Sequence, residues 1–412
     1  MSTEVKEALK QVVAPRSSEL DAPLKSKRML VNLGPSHPAM HGTARAVIEL
    51  EGENIASCKL DIGFLHRGFE KSCEKGPWND PIPYVDRLNY ISALMNDVGY
   101  VMAVEKLMGL EVTERCKFVR VIACEMNRIM DHLVNVGTNL VDLGALTNFW
   151  YFFNAREKIY LLVEKLTGSR LTNSWTRIGG AIRDVDDEWL KELVALLEDV
   201  QKAVDDVMGL VKRNRIFYDR TVGVGVMPKA KAISWGWTGP CLRASGVAHD
   251  LRKSAPYYHY DEFDFDIPIG ENGDCYDRVM VRIEEIHQSS KIIRQAIAKL
   301  PGGPISIADK RVTLPPKKLV YSSMEALINH FMLVFEGIRP PVGEAYGATE
   351  AANGELGFYI VSDGSPHPYR VHARGPCFPM WASFPSMITG LMVPDAVAIF
   401  GGLNVIAGEC ER

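Results

Sequence analysis

Between Val85 and Val211, apolar residues recur every three or four positions in one long segment after another, and that spacing constrains the fold more than any other feature of the chain. Leu88, Ile91, Met95, Val98, Met102 and Leu107 share one helical face in a segment that starts at Val85 and stops at Gly109. A second segment begins after Thr113 and carries Cys116, Val119, Ile122, Met126, Ile129, Leu133 and Val136 on one stripe to about Gly144. A third covers Phe149 to Leu166, and a fourth opens on an Asp186-Asp187 cap and runs through "EWLKELVALLEDVQKAVDDVMGLV". The links are short, so consecutive helices must return against one another, and a helical bundle is expected at the centre of the molecule.

The flanks have another texture. From Met29 to Leu60 the alternation in "ARAVIELEGENIASCKLDIG" has the period of strands joined by a Gly-Glu-Asn turn. After Tyr218 the chain becomes rich in glycine and proline, interrupted by a helical pattern from Asp274 to Leu300 and by another from Ser322, where Glu325 three positions on forms a capping box. From Gly343 to Arg412 short strands such as "ELGFYIVSD" are expected again. The fold class is therefore α+β, a central bundle of long helices with small flanking sheets. Its soft divisions are a flexible arm over 1–28, a β region over 29–62, the bundle over 63–215 and an α+β region over 216–412 within one interlocked body.

Charge excludes one class of partner. The net charge is −4 and no basic stripe offers to replace the counterions of a phosphate backbone, so nucleic acid is not expected. The longest apolar tract, "MITGLMVPDAVAIFGGLNVIAG", is interrupted by Pro394, Asp395, Asn404 and several glycines and reads as buried core, because a spanning helix needs about 20 predominantly apolar residues. Eight cysteines are scattered without a C-x-x-C pair, which suits free thiols in a reducing compartment and offers no metal cage.

Several short motifs can carry chemistry. In "NLGPSHPAMHG", His37 and His41 stand four apart, but Pro38 disfavours helix for His37, and glycines bracket the segment as a loop. On such a loop the two rings can serve as metal ligands, as packed residues or as hydrogen-bond and proton donors. "GFLHRGFEKSCE" gathers His66, Arg67, Glu70 and Lys71 in a pattern that suits a solvated helix start. Tyr90 falls on the apolar stripe of the first bundle helix, where a tyrosine is usually core. Asp142 ends an apolar run in "NLVDLGALTNFW", as a helix-terminal acceptor or as a carboxylate of shifted acidity.

Together, "GPSHPAMHG", "GFLHRGFEKSCE", "PYVDRLNYISALMND", "TGPCLRASGVAHDLRK", "IGENGDCYDR", "GELGFYIVSDG" and the terminal "GECER" resemble, in the same order from about Leu30 to Arg412, the NADH-quinone oxidoreductase family of 49-kDa subunits of respiratory complex I. That family is related to the large subunits of nickel-iron hydrogenases, which hold their metal with two C-x-x-C pairs. Here the corresponding regions carry Cys73 and Cys410 singly, and two thiols cannot rebuild a four-thiolate cage.

The resemblance implies a hydrogenase-large-subunit-like fold and a quinone pocket in place of the metal. Electrons would come from an iron-sulfur cluster on an adjacent subunit, with quinone as substrate and no cofactor held by this chain. By family position, His41 bonds one quinone carbonyl, Tyr90 bonds the headgroup, Asp142 is the charged partner of His41, and His37 supports the loop. Arg67 lies toward the electron-donating cluster. Thr172 stands where the family usually has a histidine thought to make the cluster's potential depend on pH, and a hydroxyl does not titrate in that range. Other complex I subunits, including the cluster-bearing one and the membrane arm, are the implied partners of a peripheral subunit on the cytoplasmic side of a bacterial inner membrane. The competing expectations are a nickel-containing hydrogenase-type large subunit and a non-catalytic scaffold.

Overall fold

A computed structural model describes residues 28–412, so all of the expected N-terminal arm except Arg28 lies outside the described residues. The chain opens with strands β1 (Met29–Leu33), β2 (Arg45–Glu51) and β3 (Asn54–Asp61), antiparallel in the order β1-β2-β3. Glu51 pairs with Asn54 across a two-residue turn in which Gly52 takes φ 67°, a conformation glycine adopts without steric cost.

Four long helices follow: α1 (Ala93–Met108), α2 (Glu114–Asp142), α3 (Leu146–Thr167) and α4 (Asp187–Val211). Thr113 caps α2 by accepting from Cys116 N at 3.2 Å, and Asp186 caps α4 through Trp189 N at 2.8 Å. Strands β4 (Thr176–Arg177) and β5 (Gly180–Ala181) form a small hairpin between α3 and α4. Beyond α4 lie α5 (Cys275–Ala298) and α6 (Met324–Phe335), then the antiparallel sheet β6 (Gly343–Ala351), β7 (Gly354–Ser362) and β8 (Arg370–Arg374). The chain closes with α7 (Cys377–Ile388), α8 (Val393–Leu403) and a terminal helical turn, Ala407–Glu411.

Three expectations need correction. The first bundle helix starts at Ala93, not Val85: a short helix over Ile82–Val85 precedes it, and the Asn89 side chain accepts from the amides of Ile91 and Ser92, turning the chain before α1 can begin. Tyr90 thus stands on this turn and not on a helix. Helix α6 is capped by Ser323, which accepts from Ala326 N at 3.4 Å, in place of a box from Ser322 to Glu325. The tail from Gly343 is strand only as far as Arg374, and the apolar text beyond it coils into buried helices.

Packing is organised around α2. Its apolar stripe joins α3, α4 and α5 in the largest core, where Ile122, Leu133, Phe152, Val200 and Ile293 are buried. Its other faces are buried as well, and there charges pair. Arg120 bonds Glu105 at 2.8 Å, Arg128 and Arg252 both hold Glu125, and His132 meets Glu285 at 2.7 Å. Arg243 bridges Glu285 and Glu350 at 2.7 and 2.8 Å. Charges so enclosed are tolerated only when each finds its counterion. A second core lies beneath the β1–β3 sheet, against α7 and α8, and a third joins α1 to the β6–β8 sheet.

Candidate functional site

The site forms where the 34–44 loop, the turn before α1 and the C-terminal segment meet. Gly34 takes φ 86°, and a Cβ there would collide with the Ala44 carbonyl oxygen, so the loop closes on itself only with glycine. Inside it, Pro38–Met40 makes one helical turn. His37 caps this turn, with Nδ1 accepting from Ala39 N at 3.2 Å, and His41 ends it in the left-handed region at φ 55°. Buried Met40 fixes the turn in the second core.

His41 Nδ1 lies 3.2 Å from the carbonyl oxygen of Val405, and its ring packs against Phe400 with centroids 4.8 Å apart. A carbonyl can only accept, so Nδ1 carries the proton, and Nε2, which no described residue engages, is an acceptor in the neutral ring. Burial lowers the pKa of this imidazole, and the bond to Val405 opposes that shift only in part.

Tyr90 leans on the same C-terminal segment. The backbone of Arg87 and Leu88 and the Tyr90 ring crowd Gly408 so closely that a Cβ there would collide with the Arg87 and Leu88 carbonyls. The Tyr90 hydroxyl has no hydrogen-bond partner among the described residues. Burial, with Cys377 and Asp131 nearby, raises its pKa, so it stays a neutral donor. Beneath it, Asn404 Nδ2 donates to Asp131 at 2.7 Å, and Cys377 Sγ lies 3.3 Å from the carboxylate of Glu409, which burial pushes up to about 7.

Asp142 is the last residue of α2, next to the helix end where partial negative charge accumulates. Burial pushes its carboxyl up to about 6, and the charge that opposes this shift is that of His37. No hydrogen bond joins Asp142 to His41 among the described residues: the charge that reaches the carboxyl is that of His37, and His41 Nδ1 meets a backbone carbonyl.

Arg67 donates to the Arg87 carbonyl at 3.1 Å, and burial together with the Arg87 cation lowers its pKa. Arg87 pairs with buried Asp86 at 2.9 Å, and Ser174, two residues beyond Thr172, bonds the other Asp86 oxygen at 3.0 Å. Arg67, Arg87 and the Thr172 loop thus share one polar patch centred on Asp86. Sequence reasoning misses Asp86 and Arg87, although both lie within "PYVDRLNY", four and three residues before Tyr90. Thr172 sits at φ 50°, an uncommon conformation for a β-branched residue.

Among the described residues no group of three His, Cys, Asp or Glu side chains gathers as metal ligands, and no helix is long and apolar enough to cross a membrane.

Comparison with known proteins identifies the family. Residues 142–412 match the family model described as respiratory-chain NADH dehydrogenase, 49 Kd subunit. The chain is 55% identical over 405 residues to the second D-type subunit of NADH-quinone oxidoreductase from Anaeromyxobacter sp. (strain Fw109-5), covering 98% of this chain and 94% of that one. It is 51% identical to the D-type subunit of Myxococcus xanthus, covering 96% and 95% of the two chains. It is also 53% identical to the C/D-type subunit of Bdellovibrio bacteriovorus, covering 94% of this chain and 70% of that longer one. The chain belongs to the 49-kDa subunit family of respiratory-chain NADH dehydrogenase, and is thus one of the subunits of the NADH-quinone oxidoreductase complex.

Proposed function

We propose that this chain forms the quinone-reduction pocket of a proton-translocating NADH-quinone oxidoreductase and accepts electrons from an iron-sulfur cluster on a neighbouring subunit. The observation that carries the reading is that His41 Nε2 and the Tyr90 hydroxyl, groups of opposite hydrogen-bonding character, both lack partners among the described residues and both lean on the segment from Val405 to Gly408. Reducing a quinone to a quinol takes two electrons and two protons, one proton at each ring oxygen. Tyr90, neutral at all physiological pH values, donates a hydrogen bond to one oxygen. His41 can donate to the other only as an imidazolium, because Nδ1–H is committed to Val405. Burial keeps the ring neutral at rest, and negative charge arriving on the substrate oxygen favours protonation.

Asp142, at the end of α2, feels the charge of His37 on the loop, and together the two can replenish the proton. Arg67 and Arg87 supply fixed positive charge on the side facing the electron donor, where a cation favours the reduced state. The cluster belongs to another chain of the complex, since the lone thiols of Cys73 and Cys410 provide no four-thiolate cage for it here. The relative whose name joins C and D supports a C-type neighbour, with the membrane arm as another. A peripheral position suits a chain whose described helices include none able to span a membrane, and the cytoplasmic side of the inner membrane is the place this reading implies.

The test is Tyr90→Phe in the assembled complex. It keeps the ring and deletes the hydroxyl, a loss of about 1–3 kcal/mol if the substrate oxygen is left unpaired. The apparent KM for short-chain quinones should rise while reduction of the clusters by NADH is unchanged. Equal loss of cluster reduction would make Tyr90 structural and remove the pocket reading.

A further inference from the structure

Helix α6 breaks the rule that governs the rest of the molecule. Its sequence, MEALINHFMLVF, is among the more apolar helical segments of the chain, yet none of its residues is buried. Met324, Leu327, Phe331 and Phe335 recur at helical spacing, with Phe331 59% and Phe335 76% exposed and their rings stacked at 5.4 Å. Tyr321, just before the helix, is 81% exposed. The helix is not loose: Leu333 packs on the third core, and buried Ile338 anchors the chain beyond it. An apolar stripe of this kind, anchored to the fold, marks a binding surface.

Two features identify what covers it. Beside the helix lies a groove of about 500 Å³ whose apolar wall includes Ile307, Leu314 and Leu319, with Asp309 and the Lys310–Glu325 pair, 3.9 Å apart, along its polar side. A concave trough with an apolar wall accepts a ridge of side chains from a polypeptide, whereas a bilayer surface offers none. The charges also lie unevenly. Lys317 and Lys318 are exposed at one rim and meet no carboxylate among the described residues, while Arg311 is already neutralised by Asp309 at 2.7 Å. Helix α6 itself carries Glu325 and no lysine or arginine, unlike a helix built to lie on anionic lipid.

We infer that α6 and the adjoining groove form a docking face for another protein subunit of the complex, one presenting an apolar ridge bordered on one side by carboxylates. The ridge fills the groove and covers Phe331 and Phe335, and the carboxylates meet Lys317 and Lys318. This face is formed by α6 and the 306–319 segment, whereas the pocket wall is formed by the 34–44 loop and the C-terminal segment, so the inference does not depend on the quinone reading.

The experiment places photoreactive benzoylphenylalanine at position 331 in the intact complex, followed by irradiation and identification of the cross-linked product. The expected result is a cross-link to a different polypeptide of the complex at a peptide that contains aspartate or glutamate. Cross-linking to lipid alone, to a second copy of this chain, or to nothing at all would overturn the inference. As an independent arm, Lys317→Glu combined with Lys318→Glu should release the same partner at a lower salt concentration than the unmodified complex. Unchanged salt sensitivity would overturn the electrostatic half of the inference. The double variant changes only exposed side chains, so its folding is not at issue.

Discussion

His41 and Val405 lie 364 positions apart in sequence, yet the imidazole Nδ1 is 3.2 Å from the Val405 carbonyl oxygen, and that contact decides what the ring can do. With Nδ1–H spent on a backbone acceptor, any proton delivered to a ligand must come from Nε2, and the ring must first be charged. Quinone reduction that depends on this proton should gain rate as pH falls below about 6.5, the ordinary histidine value, because the pKa of His41 lies lower still. His41→Ala should flatten that acid limb and lower turnover near pH 7 on the order of 100-fold, the low end for a lost general acid. A pH profile that matches the unmodified complex would remove His41 from the donor role.

Asp142 gives a prediction with a defined sign. Its pKa is about 6 in the folded chain against an ordinary value of 3.8, so between those values the folded state holds more protons and stability falls as pH rises. The carboxyl is partly exposed, and after allowance for solvent screening the penalty above pH 6 is about 1–2 kcal/mol. Asp142→Asn imitates the protonated acid. It should raise the thermal midpoint of the purified chain at pH 8 and leave it unchanged at about pH 3.5, below the ordinary carboxyl value. In the complex the same variant should slow quinone reduction, and a variant that gains stability without losing rate would show that the carboxyl is not part of proton supply.

Gly34 tests whether the loop is the functional unit. A side chain there meets both a left-handed backbone and the Ala44 carbonyl. Gly34→Ala should displace the turn that carries His37 and His41, at a cost of about 1–3 kcal/mol. Because Tyr90 and its turn lie outside the loop, quinone affinity should fall less than turnover. Kinetics that separate KM from kcat would check this, and equal losses in both would point to general unfolding.

Periodicity locates the bundle because α2, α3 and α4 bury one continuous stripe against one another, and a stripe is what a 3.6-residue repeat encodes. It does not reveal that α2 is enclosed on its other faces too. Arg120, Glu125 and His132 find their counterions Glu105, Arg252 and Glu285 in other segments, which no periodicity within α2 reveals. Tyr90 looks helical in sequence for a related reason. Leu88 and Ile91 keep the helical period, but the Asn89 side chain competes for the backbone amides and turns the chain instead. Of the residues that the family motifs point to, His41 and Tyr90 both reach the C-terminal segment, at Val405 and Gly408. What is not legible is the contact that holds His41, because its reach to Val405 depends on a left-handed residue at the end of a single helical turn.

Thr172 offers the last test, because its backbone and its expected role can be separated. A threonine at φ 50° is strained, since a branched Cβ crowds the backbone in the left-handed region, where asparagine and histidine are better tolerated. Thr172→Asn should therefore stabilise the chain by about 1 kcal/mol with no new titratable group. Thr172→His should share that conformational relief and add an imidazole beside the patch of Asp86, Arg87 and Ser174. If this loop faces the electron-donating cluster, an imidazolium there becomes easier to hold when the cluster gains an electron, so the potential should fall as pH rises through the range around 6.5. Redox titration followed by electron paramagnetic resonance should show a weak slope between about pH 6 and 8 in the unmodified complex and in Thr172→Asn, and a steeper one in Thr172→His. A steep slope in the unmodified complex would assign the coupling to another group. A flat one in Thr172→His, together with the gain in stability, would mean that the ring is accommodated but turned away from the cluster.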